Sequence, residues 1–388
     1  MTSITSVPVE VCGLIVAHIP SSDRRTLYAC MRLCRSFYAA ASPLLYHTIT
    51  LSSYSHVTPL LDTKPTAIGR GALSKYRKPV AKSAVKSKPQ LLQKVRVLEM
   101  DGRIGGPFGG AKAVVLPNVR TLRIDMSLTT LLAEQREAGL QTWLDPMLTA
   151  GNYFDNVTGV KPQTIVVKHL AFHEQIEFPN DLPLSTLSNV TRIIYILDYT
   201  TWDADYFGRV NGRSNSNPSF GLHNWLDNLS GAPDKLINVD IVFWTAGPGL
   251  HFSTPGNKYT YMRRAPGQTW LDSYATHIAE TFPSSDKINF NFVNTGSFDR
   301  HSISAEEWNY SEVEEAFRKK VLGALGAEAE GNLQPAEVVS FIGIPEWMGE
   351  LKAGGVIRDD VLTEEEAQPW LQTNQAAEGD EEGKLENS

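Results

Sequence analysis

Residues of catalytic type occur in this chain, but their motifs are incomplete. His173-Glu174 begins as a zinc-protease helix does, yet the position that needs the second histidine holds Glu177. The glycine-rich stretch 105–110 has Pro107 where a dinucleotide-binding loop needs glycine, and no Lys-Ser/Thr follows it for a phosphate loop. No Gly-x-Ser-x-Gly nucleophile elbow occurs. These motifs therefore do not predict an enzyme.

A second polar set could belong to a hydrolytic or metal site: Asp198, Asp203, Asp205, His223 and Asp227. Two carboxylates catalyse glycoside hydrolysis only when they are held about 5–10 Å apart, and loop acids more commonly form turns. An enzyme of unrecognised chemistry therefore stays open as a minor alternative. We expect no catalytic residue, no cofactor and no metal.

The three cysteines, Cys12, Cys30 and Cys34, all lie near the start of the chain. Spacing of i, i+4 would place Cys30 and Cys34 on one face of a helix, and these two thiols could form a metal site with Cys12 and His18. A second cysteine pair at ligand spacing is missing, and free cysteines commonly pack in cores. We therefore expect core residues rather than a metal site. No disulfide framework holds the rest of the chain, which is typical of a reducing compartment.

Length and charge narrow the class of protein. The chain has 388 residues, 42% hydrophobic and 20% charged, enough for two or three folded units. A net charge of −7 argues against nucleic-acid binding. No apolar run approaches the roughly 18 residues of a membrane span, and the apolar stretch 7–19 lacks the basic start of a signal peptide. We expect an intracellular protein, cytoplasmic or nuclear.

The first fifty residues predict helices. The segment between Pro8 and Pro20 is apolar nearly all round, so it needs burial on more than one side. A second helical stripe, ended by the stretch 41–43 and capped at its start by 21–23, consists of Leu27, Cys30, Leu33, Cys34 and Phe37. Periodicity alone favours stripes that are all internal core. A module of about 50 residues, however, cannot easily bury every helix face.

These residues resemble a known family. Val7-Pro8-Val9-Glu10-Val11 is similar to the opening Leu-Pro-x-Glu-aliphatic of F-box domains. The stretch 33–38 (Leu-Cys-Arg-Ser-Phe-Tyr) resembles their Val-Cys-(Arg/Lys)-x-aromatic segment, and 41–46 (Ala-Ser-Pro-Leu-Leu-Tyr) resembles their closing Ala-Ser-Pro-x-Leu-aromatic, especially in fungal members. The match covers about residues 5–52. Val7 replaces the usual leucine, and Arg24-Arg25 stands where an aliphatic pair often follows the acid.

The resemblance implies a binding protein that docks onto a Skp-type adaptor, and through it onto a cullin, as the substrate-recruiting subunit of an SCF-type ubiquitin ligase. The remaining chain would choose an unknown protein target. The runner-up is an F-box-bearing scaffold without a role in ubiquitination. The residues expected to contact the adaptor are Val7, Pro8, Glu10, Val11, Leu14, Ile15, Ile19, Leu33, Cys34 and Phe37.

The sequence divides into four parts: the all-α F-box-like module 1–52, a basic flexible connection 53–90, an α/β domain 91–360, and an acidic disordered tail 361–388. Between 63 and 96 there are ten basic residues and no acid. This is typical of a solvated connection, although Lys75–Lys78 could be a nuclear signal. Glutamates dominate beyond 363, which predicts a solvated tail.

A recurring pattern, aliphatic-x-x-aliphatic-x-apolar, predicts the strands of the larger domain. It occurs at Val95/Leu98/Met100, Val119/Leu122/Ile124, Val167/Leu170/Phe172, Val190/Ile193/Tyr195, Leu236/Val239/Ile241 and Val339/Ile342/Ile344, with a further strand at 288–292. Alternation with helices, one of them capped by Ser304 or Ser311, predicts parallel strands. The chain is therefore α+β overall, its larger part a degenerate leucine-rich-repeat-like domain, as behind many fungal F-boxes, or an ordinary α/β domain.

The stretch between Tyr195 and Trp270 is rich in aromatic residues, asparagine and glycine. Long aromatic loops on a repeat scaffold are suited to recognition, and equally such residues can cover an irregular core. The residues expected to bind a target are Trp202, Tyr206, Phe207, His223 and Trp225.

Overall fold

A computed structural model shows helices at the amino-terminal end and a parallel sheet in the rest of the chain. It describes residues 7–20, 23–51, 88–101, 114–125, 157–168, 184–198, 235–245, 247, 288–297, 309–328, 339–363 and 366–371. None of the helices in these ranges is long and apolar enough to cross a membrane.

Three helices form the amino-terminal module: α1 (Val9–Ala17), α2 (Arg24–Met31) and α3 (Arg35–Leu45). The single helical stripe predicted from Leu27 to Phe37 was wrong, because the chain turns between α2 and α3. Cys34 is extended, with φ −156° and ψ 176°, and is the residue from which α3 starts. Helix α3 also continues through Pro43, since a proline in the last turn removes only one helical hydrogen bond.

The sheet comprises eight parallel strands: β1 (Thr48–Leu51), β2 (Val97–Asp101), β4 (Thr121–Asp125), β6 (Thr164–Lys168), β7 (Arg192–Asp198), β8 (Asn238–Trp244), β9 (Asn289–Val293) and β10 (Val339–Ile342). They lie side by side in chain order. Two short strands, β3 (Val114–Val115) and β5 (Val157–Thr158), pair in a separate sheet. The predicted parallel arrangement is therefore confirmed.

Successive strands join the sheet in the same way. The first residue of β2 and the residue before it both donate their N–H groups to His47 O. In the same way, two successive backbone N–H groups donate to each of the carbonyls of Arg96, Arg120, Gln163 and Thr191. Each new strand therefore enters at a constant register relative to its predecessor.

One face of the sheet is aliphatic, and we call it the aliphatic face. Paired positions across all eight strands form a row of apolar residues: Ile49, Leu98, Leu122, Ile165, Ile193, Val239, Phe290 and Val339. Helix α6 (Tyr310–Glu328) packs here through Phe317, whose ring lies 5.4 Å from that of Phe243 and 5.8 Å from that of Phe292.

The cap of helix α6 is Asn309, two residues before the cap predicted at Ser311. Asn309 N donates to Glu312 Oε2 at 2.7 Å, and Glu312 N donates to Asn309 Oδ1 at 3.1 Å. This reciprocal pair is a capping box in which asparagine takes the place of serine or threonine. The other predicted cap, Ser304, lies outside the described residues.

The opposite face of the sheet is covered by residues 344–363 and 366–371, which we call the carboxyl-terminal segment. It contains α7 (Ile344–Ala353) and α8 (Arg358–Val361). Its apolar side chains, including Trp347, Val361 and Trp370, share one buried cluster with Val166, Ile194 and Val242 of the sheet. The prediction of a disordered tail from residue 361 was therefore wrong for the described residues 361–363 and 366–371. Their apolar side chains lie between the acidic ones and pack on the sheet.

Two further helices within the described residues are short. Helix α4 (Lys88–Leu92) precedes β2, and α5 (Leu184–Leu187) precedes β7. Helix α4 begins at Lys88, so residues 88–90 of the predicted basic connection belong to the folded structure, and Leu92 is buried.

Candidate functional site

Helix α1 is short because prolines bound it. Pro8 has no N–H to donate and sits just before the first turn, where its carbonyl accepts the N–H of Cys12 at 3.1 Å. Glu10 lies in the first turn, where a negative charge stabilises the positive end of the helix dipole. Pro20 follows the carboxyl end and cannot continue the helix.

The two sides of α1 differ in burial although both are apolar. Cys12 is 0% and Val16 1% exposed, because this side packs on the other helices. Val11, Leu14 and Ile15 lie on the other side and are 41%, 65% and 47% exposed. We call this second side the docking face of α1. Three large aliphatic side chains on one side of the helix therefore remain in contact with water. A partner that covered this side would remove that contact.

The turn between α2 and α3 adds further exposed apolar groups. Leu33 is 52% exposed, and Tyr28 of α2 is 55% exposed with the Arg32 guanidinium 6.0 Å from its ring centre. Asp23 caps α2 by accepting the N–H of Thr26 at 3.0 Å, and these hydrogen bonds lower the pKa of its carboxyl group. The cap fixes the start of α2 and thereby the side that carries Tyr28.

Some of the residues predicted to contact the adaptor lie in the interior of the module, and others are exposed. The buried cluster is formed by Cys12, Val16, Leu27, Cys30, Phe37 and Ala41. Phe37 is only 6% exposed, contrary to the expectation of partial exposure, because α3 turns it into this cluster. Val7, Ile19 and Cys34 are partly buried against the same cluster. Pro8, Glu10, Val11, Leu14, Ile15 and Leu33 are exposed.

Sequence reasoning missed two exposed apolar residues, Val9 and Tyr28. Val9 is 53% exposed, although its spacing groups it with Cys12 and Val16. It lies at the first position of α1. Tyr28 falls outside the apolar stripe that contains Leu27 and Cys30. Its position beside the stripe was the sequence signal that could have identified Tyr28 as exposed.

The module is bonded to the sheet directly. Strand β1 follows α3 and pairs with β2. The Lys94 ammonium donates to Ser42 Oγ at 2.7 Å, and Arg24 donates to the carbonyl of Thr48 at 3.2 Å. Arg24 is one of the two arginines that depart from the family pattern, and here it joins α2 to the strand.

The carboxyl-terminal segment also contacts residues next to the module. Asp360 of α8 is 3% exposed, and its Oδ1 lies 3.5 Å from His47 Nε2. Burial raises the pKa of Asp360, while His47 and the arginines 123 and 120 act to lower it. The segment therefore contacts the residue before β1 at one side of the sheet and the residue after β8 further along it. There Trp370 donates its Nε1–H to the carbonyl of Thr245 at 3.3 Å.

The other residues of catalytic or binding type do not form a site within the described residues. His173, Glu177, the stretch 105–110 and all five expected target-binding residues, Trp202, Tyr206, Phe207, His223 and Trp225, lie outside the described residues. Among the residues that are described, no group of three or more His, Cys, Asp or Glu side chains could hold a metal ion.

Comparisons with protein-family models, with curated proteins and with solved structures found no match to this chain. The candidate site is an exposed apolar face on a short helix, held by a three-helix cluster that is bonded to a parallel sheet.

Proposed function

We propose that α1–α3 form an F-box-type module that docks a Skp-type adaptor, and that the chain acts as a substrate-recruiting subunit of a cullin–RING ubiquitin ligase. The observation that carries the proposal is the docking face of α1. Val11, Leu14 and Ile15 remain in water although the same helix buries Cys12 and Val16. Val11 belongs to the stretch 7–11 that resembles the opening motif of F-box domains, and Leu14 and Ile15 follow it on the same helix.

The energetics favour a partner for this face. Burial of a large aliphatic side chain contributes about 1.5–3 kcal/mol, so these three side chains together represent several kcal/mol. Leu33 and Tyr28 supply further exposed apolar area on the same module. Adaptor binding would bury such side chains at the centre of an interface, where they contribute most to affinity.

The sheet supports a recruiting role for the rest of the chain. Eight parallel strands in chain order, with the same entry hydrogen bonds at five successive junctions, favour a degenerate leucine-rich-repeat-like domain. The carboxyl-terminal segment already covers the face opposite the aliphatic one. We therefore assign target recognition to the sequence between β7 and β8, which contains the proposed residues Trp202 and Phe207.

The direct test is a binding assay between the purified chain and a purified Skp-type adaptor. We expect complex formation by the unaltered chain and a loss of about 100-fold in affinity for the double substitution Val11→Asp with Ile15→Asp, because it would bury unpaired charge. Ile357→Asp is the matched control, since Ile357 is 51% exposed and stands at the cap of α8, where aspartate is well tolerated.

Two results would overturn the docking proposal: no complex with the unaltered chain, or equal affinity of the double variant. Circular dichroism establishes that each variant keeps its helices. A second experiment distinguishes a ligase subunit from a scaffold. Proteins captured by the chain in cells are identified, and their ubiquitination is compared between cells with the unaltered chain and cells in which Val11 and Ile15 are both replaced. Captured proteins whose ubiquitination is unchanged would favour the scaffold.

A further inference from the structure

The residues that lead into the strands form a row in register. Three residues before the first residue of β2, β4, β6, β7 and β8, the chain has lysine and asparagine in alternation. Because these strand starts pair with one another, the five residues follow one another along the amino-terminal edge of the sheet. In each case the next residue is buried, which anchors the row on the sheet. In strand order the row consists of Lys94, Asn118, Lys161, Asn189 and Lys235.

Hydrogen bonds hold this row in place. Lys235 Nζ donates to Asn189 Oδ1 at 2.8 Å, and Asn118 Nδ2 donates to the carbonyl of Gln93 at 2.7 Å. The guanidinium of Arg96 also donates to the carbonyl of Asn118 at 3.1 Å. Neighbouring segments of the edge are therefore bonded to each other, and a ligand on the row would order few further groups when it binds.

The edge is basic although the chain as a whole is acidic, with a net charge of −7. Outside the short helices α4 and α5, the described residues that lead into these five strands include no aspartate or glutamate. They include five basic residues, of which three are exposed and two are half-buried. We call these five residues the basic rim: Lys94, Arg96, Arg120, Lys161 and Lys235.

Neighbouring acids do not balance the basic rim. Within the part of the chain that the structure describes, no acidic side chain forms an ion pair with the rim residues other than Lys94. Arg120 acts electrostatically on the carboxyl group of Asp360, but that group is buried whereas Arg120 is exposed. Like charges on neighbouring strands repel each other, so an anionic partner would stabilise this edge.

We infer that the basic rim binds an extended acidic peptide segment of another protein, which runs across the starts of the strands. Neighbouring strands lie about 4.8 Å apart, so Lys161 and Lys235, two strand intervals apart, are separated by about 10 Å along the edge. An extended peptide advances about 3.3 Å per residue, so carboxylates at every third residue match this spacing. The amide groups of Asn118 and Asn189 lie between the cations, where they can bond to peptide groups.

An acidic peptide fits this edge better than a nucleic acid strand. Proteins that bind single strands combine cations with aromatic side chains on which the bases stack. The described residues that lead into the five strands include no aromatic residue outside α4 and α5. A nucleic acid would also extend its phosphates beyond the rim, over a chain of net charge −7.

Fluorescence anisotropy with the full-length chain tests the inference. The probe is a fluorescein-labelled peptide of Glu-Ser-Gly repeats, and its matched probe has glutamine in place of each glutamate. We expect saturable binding of the acidic probe and about tenfold weaker binding of the glutamine probe. A rise in salt from about 50 to about 300 mM should weaken binding about fivefold, because exposed charges are screened.

Matched variants locate the site. Lys161→Glu should weaken binding about fivefold, because Lys161 is exposed and its reversed charge repels the probe. Lys319→Glu is the control, since Lys319 is an exposed lysine of α6 with the same change of charge, and it should bind as the unaltered chain does. Lys161→Arg should retain binding. Thermal unfolding establishes that each variant is folded.

Three results would overturn the inference. Equal weakening by Lys161→Glu and Lys319→Glu would mean that the probe responds only to the total charge. Tighter binding of an oligothymidylate than of the acidic probe would identify a nucleic acid as the ligand. Binding of the probe only after removal of residues 372–388 would mean that the chain's own acidic stretch occupies the rim. No rim residue belongs to the docking face, so these outcomes are independent of adaptor binding.

Discussion

The ammonium group of Lys168 lies 2.6 Å from Glu366 Oε2 and 2.7 Å from Glu366 Oε1, joining β6 to the carboxyl-terminal segment. The Lys168 side chain is 3% exposed and that of Glu366 is 22% exposed. Thr363 also donates its backbone N–H to Glu366 Oε2 at 2.6 Å. The carboxylate therefore balances a buried charge and also forms a capping box with Thr363, whose hydroxyl accepts the Glu366 N–H at 3.2 Å.

Glu366→Gln should destabilise the fold by about 3 kcal/mol, because it leaves the buried Lys168 ammonium without its counter-charge. Glu315→Gln on α6 is the control, since Glu315 is exposed and should change stability by less than about 0.5 kcal/mol. Chemical denaturation measures both. Equal midpoints for the two variants would show that the pair contributes nothing.

The same pair predicts a pH dependence. Burial acts to raise the pKa of Glu366, but Lys168 and the hydrogen bonds from Thr363 hold it below its ordinary value of 4.5. A carboxyl whose pKa is lower in the folded state stabilises the fold above its unfolded pKa, and this contribution is lost as pH falls through the folded pKa. The stability gap between the unaltered chain and Glu366→Gln should therefore narrow from pH 7 to about pH 3. A constant gap over that interval would contradict this explanation.

Removal of residues 358–388 should destabilise the sheet by about 5 kcal/mol or more, because Val361, Leu362 and Trp370 leave a buried cluster. Removal of 372–388 alone is the control, since that acidic sequence predicts a solvated segment. Thermal unfolding of the two truncations should differ clearly. Similar melting temperatures would mean that the segment adds little to the stability of the sheet.

The strand pattern could be predicted where the two faces of a strand differ. The triplets beginning at Val95, Val119, Val190 and Leu236 have the correct frame, because their second members all lie on the aliphatic face. The Val167 triplet had the wrong frame. Strand β6 is buried on both faces, so its residues Ile-Val-Val show no alternation.

The last triplet, Val339/Ile342/Ile344, had the wrong frame for a different reason. Val339 pairs with Phe290 on the aliphatic face, but Ile342 belongs to the buried cluster on the opposite face. Ile344 is already the first residue of the carboxyl-terminal segment. That packing depends on contacts distant in sequence, such as Lys168 with Glu366, which no local pattern contains. For the docking face, the F-box-like motif located α1, but only the structure distinguishes exposed Ile15 from buried Phe37.

Asp240 should be the most sensitive polar residue of the sheet. Its carboxylate is 0% exposed and accepts hydrogen bonds from Arg192 Nε at 2.7 Å, Asn291 Nδ2 at 2.7 Å and Trp347 Nε1 at 3.0 Å. Asp240→Asn should destabilise the fold by about 3–5 kcal/mol, because Arg192 is buried and loses its counter-charge.

Trp347→Phe is the graded comparison with Asp240→Asn. It removes one donor to Asp240 and keeps most of the apolar volume, so a loss of about 1–2 kcal/mol is expected. Denaturant titration should rank the two variants in this order. The reverse order would show that the indole packing, and not the charge network, dominates here.

The last prediction concerns where the amino-terminal module can be cut. A deletion of residues 1–52 removes β1 together with the helices, although β1 is the first strand of the sheet. It exposes the backbone edge of β2 and leaves the N–H groups of Arg96 and Val97 without their acceptor, the His47 carbonyl. An unpaired edge next to the buried Val97 and Leu98 favours aggregation.

A deletion of residues 1–46 keeps His47 and β1 and should therefore remain soluble, with a melting temperature above that of the longer deletion. Light scattering and thermal unfolding compare the two, and neither should bind the adaptor because both lack α1. If the two deletions are equally stable and equally soluble, β1 does not secure the edge of the sheet, and the module is separable at residue 52.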